Sequence, residues 1–104
     1  MNYGSVYSTQ AINTPAIVTS AGTALAANPA RIAFTIQNLS GANPLFVCLG
    51  ATASTTVFHV ILKAGTSQDD GTGGTLSMEM GAVYNGLVSV AGTSPRFVVT
   101  EMAV

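Results

Sequence analysis

The chain has 104 residues and only seven charged side chains, three basic and four acidic; that is 7% charge, against about 25% in an ordinary soluble domain. A formal net charge of −1 gives no basic footprint for nucleic acid, and no stretch approaches the ~20 apolar residues of a membrane-spanning helix. One cysteine, Cys48, rules out an internal disulfide and fits synthesis in a reducing cytoplasm, as does the lack of a basic-then-apolar leader pattern.

So little charge leaves two ways to cover the surface. One is a skin of Ser, Thr, Gly and Asn, and the other is burial against further subunits. The second is favoured, because a bland, nearly neutral surface promotes association.

Taken in order, residues 1–14 are uncharged and read as an N-terminal arm ahead of a domain at 15–104. Tyr3, Val6 and Tyr7 alternate weakly there and are interface candidates, since the amphipathic tyrosine ring suits protein contacts. Pro15 precedes a β-branched run at 16–19. Residues 23–27 are too few for a helix between Gly22 and Asn28-Pro29, and read as a short strand or connector.

Ile32, Phe34 and Ile36 alternate with Ala33, Thr35 and Gln37, the period of a half-buried strand. Turn formers at 39–43 and Pro44 lead into Leu45–Leu49, so residues 28–50 read as a hairpin. Leu45, Val47 and Leu49 face one way and Phe46 and Cys48 the other, and both sets are apolar. Such a strand is covered on both sides. Phe46 and Cys48 are therefore interface candidates, their side facing a neighbouring chain or the folded-over N-terminal segment. Arg31, one of three cations, is a further contact candidate.

In residues 57–63, Phe58, Val60 and Leu62 form the expected core face and Val57, His59, Ile61 and Lys63 the outer one. The longest loop, 67–75, precedes the alternation Leu76, Met78, Met80. Asn85-Gly86 is a strong hairpin signal between 82–84 and 87–90. A last strand fills 96–104. The expected fold class is all-β: an antiparallel β-sandwich, jelly-roll-like, of seven or eight short strands with an extended N-terminal arm.

Chemistry is sparse. His59, Asp69, Asp70 and several serines are ingredients of a hydrolytic triad, but no Gly-x-Ser-x-Gly elbow positions a nucleophile. Cys48 and His59 lack further metal ligands at usable spacing. The Asp69–Gly74 loop is neither a phosphate-binding loop nor a calcium hand, and reads as a turn. No catalytic, cofactor-binding or metal residue is assigned, and the chain is not expected to be an enzyme.

The string from Asn28 to Gly50, NPARIAFTIQNLSGANPLFVCLG, resembles a family of tailed-bacteriophage virion proteins. The likeness continues in Ala64-Gly65, in the DGTGG loop, in Gly86-Leu87-Val88-Ser89-Val90 and in Val99-Thr100-Glu101, so that it covers about 16–102. The resemblance implies a small β-sandwich of the capsid decoration (cement) type, without cofactors or enzymatic activity. It implies a homotrimer on the capsid exterior whose partner is the major capsid protein, assembled in the host cytoplasm. Alternative readings are a receptor- or glycan-binding module of a tail or head fibre, and a minor neck or tail adaptor.

Overall fold

The computed structural model describes residues 10–13, 15–79 and 81–103. They form eight strands and no helix: β1 (Gln10–Ala11), β2 (Gly22–Leu25), β3 (Arg31–Asn38), β4 (Leu45–Leu49), β5 (Val60–Leu62), β6 (Thr75–Met78), β7 (Val88–Ala91) and β8 (Phe97–Ala103). Two four-stranded sheets have the orders β1-β8-β3-β6 and β2-β7-β4-β5, and every pairing is antiparallel. The first strand pairs with the eighth, the second with the seventh, the third with the sixth and the fourth with the fifth. The topology is thus one long two-stranded ribbon rolled into a sandwich, a jelly roll. The expected all-β antiparallel sandwich is the fold observed.

Rolling the ribbon overturns the expected hairpin at 28–50. β3 and β4 lie in different sheets, and β4–β5 is the pair that adjoins in sequence. The link between β3 and β4 is an arch across the end of the core, built by side chains where a hairpin would use a ladder. The Asn38 Nδ2 donates to the carbonyls of Asn43, Leu62 and Lys63 at 3.0, 3.0 and 3.1 Å, and its Oδ1 accepts the Ser40 N–H at 3.0 Å. Ser40 Oγ in turn accepts the N–H groups of Ala42 and Asn43. Local turn composition cannot distinguish an arch from a hairpin, because both need the same turn-forming residues.

Asn85-Gly86 also fails to make a hairpin. The tight turn that this dipeptide favours needs positive φ at both residues, and neither has it. Residues 82–84 are not a strand, and the 16–19 run contributes a single bridge, Val18 to Phe97. Residues 10–13, assigned to the arm, belong to the sandwich. β1 pairs with β8, and Asn13 extends the pairing by donating to the Val99 carbonyl at 2.8 Å and accepting the Glu101 N–H at 2.7 Å.

Alternation does place the core. Phe34, Ile36, Phe97 and Val99 point inward from one sheet, and Leu25, Leu45, Val47, Leu62, Val88 and Val90 from the other. Arg31 departs from the pattern. The β3–β8 register shifts between Arg31 and Ala33, a bulge that turns Arg31 inward and leaves Ile32 half-buried. The guanidinium then closes one end of the core, as Asn38 closes the other. Its Nε donates to Glu101 Oε2 at 2.6 Å, its Nη1 to the carbonyls of Tyr84 and Gly86 at 2.9 Å each, and its Nη2 to the Ala26 carbonyl at 2.6 Å. The Phe34 ring lies 5.5 Å from Cζ. Five donors in a planar fork suit this closed set of acceptors as an ammonium could not.

Candidate functional site

The outer side of β4 is where the sequence expected a contact, and the structure shows what lies there. Phe46 sits between Ile61 of β5 and Ala91 of β7, and Cys48 sits beside Ser89. The segment 50–59 folds back over this side. Gly50 N–H donates to the Leu87 carbonyl at 2.9 Å, and Ala53 N–H to Ser89 Oγ at 2.8 Å, while Ser89 Oγ donates to the Ala51 carbonyl. A Ser54 turn follows, whose Oγ accepts the N–H groups of Thr56 and Val57. His59 then rejoins β4. Its N–H donates to the Val47 carbonyl at 2.7 Å, and its Nδ1 accepts the Leu49 N–H at 3.0 Å and lies 3.6 Å from Cys48 Sγ.

Two expectations change as a result. The second cover of the doubly apolar strand includes the chain's own 50–59 segment, which buries Cys48 to 1% exposure. Phe58, expected in the core, lies outside. The chain bends through 55–59 before β5 begins, so alternation does not extend back from Leu62 to Phe58. Its ring packs on Phe46 with centroids 5.2 Å apart and planes tilted by 59°, an arrangement aromatic pairs prefer.

What remains open to solvent is an apolar ridge. Ile61 is 50% exposed, Val57 48% and Phe58 37%, with half-buried Phe46 between Ile61 and the sheet centre. Beside it, on the Ala91 side of Phe46, lies a depression of about 400 Å³ lined by Gly22, Thr23, Thr52, Leu87, Ser89 and Ala91. Ridge and depression share one face of one sheet.

The six interface candidates therefore separate. Phe46 is part of the exposed ridge. Cys48 is beneath the 50–59 cover, and Arg31 is buried within the fold with its donors bonded to the chain itself, so neither offers a contact surface. Tyr3, Val6 and Tyr7 lie outside the described residues. Sequence reasoning missed Val57 and Ile61 as a surface feature, although they were apolar residues on a face read as polar. That mismatch was the available signal.

The acidic loop is occupied by its own bonds. Asp70 accepts from the N–H and Oγ of both neighbours, Ser67 N–H at 2.9 Å and Oγ at 3.1 Å, and Thr72 N–H at 2.9 Å and Oγ1 at 2.6 Å. These bonds, led by the Thr72 hydroxyl, favour the carboxylate and lower its pKa to about 2. Asp69 takes a bidentate bond from Arg96, at 2.7 and 2.6 Å, which holds its carboxyl below the usual range and raises the guanidinium. His59 and these carboxylates stand at opposite ends of β5, and each already has a partner. Comparison with family models, with curated proteins and with solved structures finds no match.

Proposed function

We propose that the protein is a structural component of a tailed-phage virion, of the capsid decoration type, which binds the head exterior and holds major capsid subunits together. The docking surface in this reading is the outer face of the β2-β7-β4-β5 sheet. The observation that carries it is the apolar ridge of Val57, Phe58 and Ile61 beside Phe46, in a chain with only seven charges. The phage assignment rests on the likeness of residues 16–102 to virion proteins.

The energetics favour many copies over one tight contact. Full burial of a large apolar side chain contributes ~1.5–3 kcal/mol, so three half-exposed ones contribute roughly 3 kcal/mol between them. Micromolar binding requires about 8 kcal/mol. A single ridge is too small for that, whereas a trimer engaging three equivalent sites multiplies it through effective concentration. Binding to the assembled shell and not to free subunits then stabilises the shell by linkage.

The test is particle reconstitution with wild-type protein and with the Phe58→Ser/Ile61→Ser variant. Cryo-EM should place wild-type copies on the head exterior, and the variant should fold cooperatively in isolation, with Tm lowered only by the loss of the Phe46–Phe58 contact, yet fail to decorate. A chain absent from the exterior, or a variant that decorates equally well, would remove the proposal.

A further inference from the structure

The chain holds six asparagines, and the structure sets one of the five described apart. Asn13 and Asn38 have both ends of the side-chain amide bonded to backbone. Asn28 bonds Glu101 and the Ala30 N–H. Asn28 and Asn43 also precede proline, which has no N–H. Asn85 is exposed, and among the described residues its bond is made by the backbone carbonyl, to the Asn28 N–H. Gly86 follows it, with no side chain to screen the amide nitrogen.

We propose that Asn85-Gly86 is a site of spontaneous covalent modification, deamidating through a succinimide. The Gly86 nitrogen attacks Asn85 Cγ, the new N–Cγ bond forms, and the bond from Cγ to the side-chain nitrogen breaks. Ammonia leaves with the Gly86 amide proton. Water then opens the ring at either carbonyl, giving aspartate or isoaspartate. Water is the only co-reactant.

The fold itself maintains the labile dipeptide. A Cβ on residue 86 would overlap the Tyr84 ring, so the bulkier neighbour that would slow the attack cannot be accommodated without displacing Tyr84. The fold also makes the product consequential. Arg31 Nη1 bonds the carbonyls of residues 84 and 86, one on each side of the modified residue. Isoaspartate routes the backbone through Cβ and lengthens this span by one carbon, which breaks the paired grip of the guanidinium. Plain aspartate keeps the backbone and adds one negative charge to the formal −1.

The experiment is peptide-mapping mass spectrometry after prolonged incubation of the intact folded protein at mildly alkaline pH, beside the Asn85→Gln variant and a denatured sample. Amide loss should appear at Asn85 ahead of every other asparagine in the folded wild type, and be missing from that peptide in the variant. The isoaspartate fraction, separated by ion exchange, should melt below the aspartate fraction. No conversion at Asn85, or conversion in the denatured sample alone, overturns the proposal, and equal melting of the two products overturns the role given to Arg31.

Discussion

Replacing Arg31 by methionine tests how the sandwich closes its end. The side chain is fully buried, and its removal strands the Glu101 carboxylate, 12% exposed, together with the carbonyls of Ala26, Tyr84 and Gly86. Breaking a buried pair from one side costs ~3–5 kcal/mol, because the remaining charge keeps its desolvation penalty. A domain of this size has about 5–15 kcal/mol in total, so R31M should lose a large fraction of its stability. At ~4–8 °C per kcal/mol for a domain this small, Tm should fall by at least ~12 °C. Urea unfolding of R31M, E101Q and the double variant resolves the cause. If the stranded carboxylate dominates, the double variant is more stable than R31M, because glutamine carries no charge to leave unpaired. Additivity of the two single losses within ~0.5 kcal/mol would refute the reasoning.

Three more predictions follow from the loops and the covered strand. Asp70 has its folded pKa lowered from 3.8 to about 2, so the stability it supplies is complete above pH ~4 and is lost as pH falls towards 2. Asp70→Asn should flatten the Tm–pH curve in that window, and an unchanged curve would count against the four-bond loop. Gly73→Ala would place a Cβ against the Asn38 carbonyl oxygen at the arch, and should cost ~1–3 kcal/mol or more in denaturant titration. Cys48 should resist alkylation in the native protein and react at the global unfolding rate; fast native labelling would mean that the 50–59 cover is not closed.

Inward and outward positions were legible in the sequence, while partnerships were not. Phe34, Ile36, Val47, Leu62 and Val99 take the faces their parity dictates, because burial of one sheet face imposes period two directly on the chain. Parity carries no information about which strand lies beside which. Residues 39–43 looked like a hairpin loop since an arch between sheets draws on the same residues, and Asn38 became informative only when its four backbone partners were visible. Arg31 was misplaced because one bulge inverted its facing. Phe58 was misplaced because the strand begins at Val60, three residues after the run at 57–63 opens. The ridge, in contrast, was written plainly in Val57 and Ile61, and was read past because His59 and Lys63 lie on the same side.

The rolled ribbon governs how the molecule can be made. β8 lies between β1 and β3 in one sheet, with β6 beyond β3, and β7 lies between β2 and β4 in the other, with β5 beyond β4. None of the first four strands bonds another of the four, so the described residues of the amino-terminal half hold no ladder of their own as they emerge from a ribosome. β4–β5 is the local pair, and it is short. β3 gains its first partner, β6, with residues 75–78, and the pairings of β1 and β2 and the remaining ladders of β3 and β4 wait for residues 88–103; closing contacts over such separations is slow. Until then β4, apolar on both sides, stands uncovered, and the growing chain passes through a window of aggregation that only its last two strands close. Trimming β1 would remove an edge; trimming β8 would remove the centre of a sheet and leave nothing to fold around.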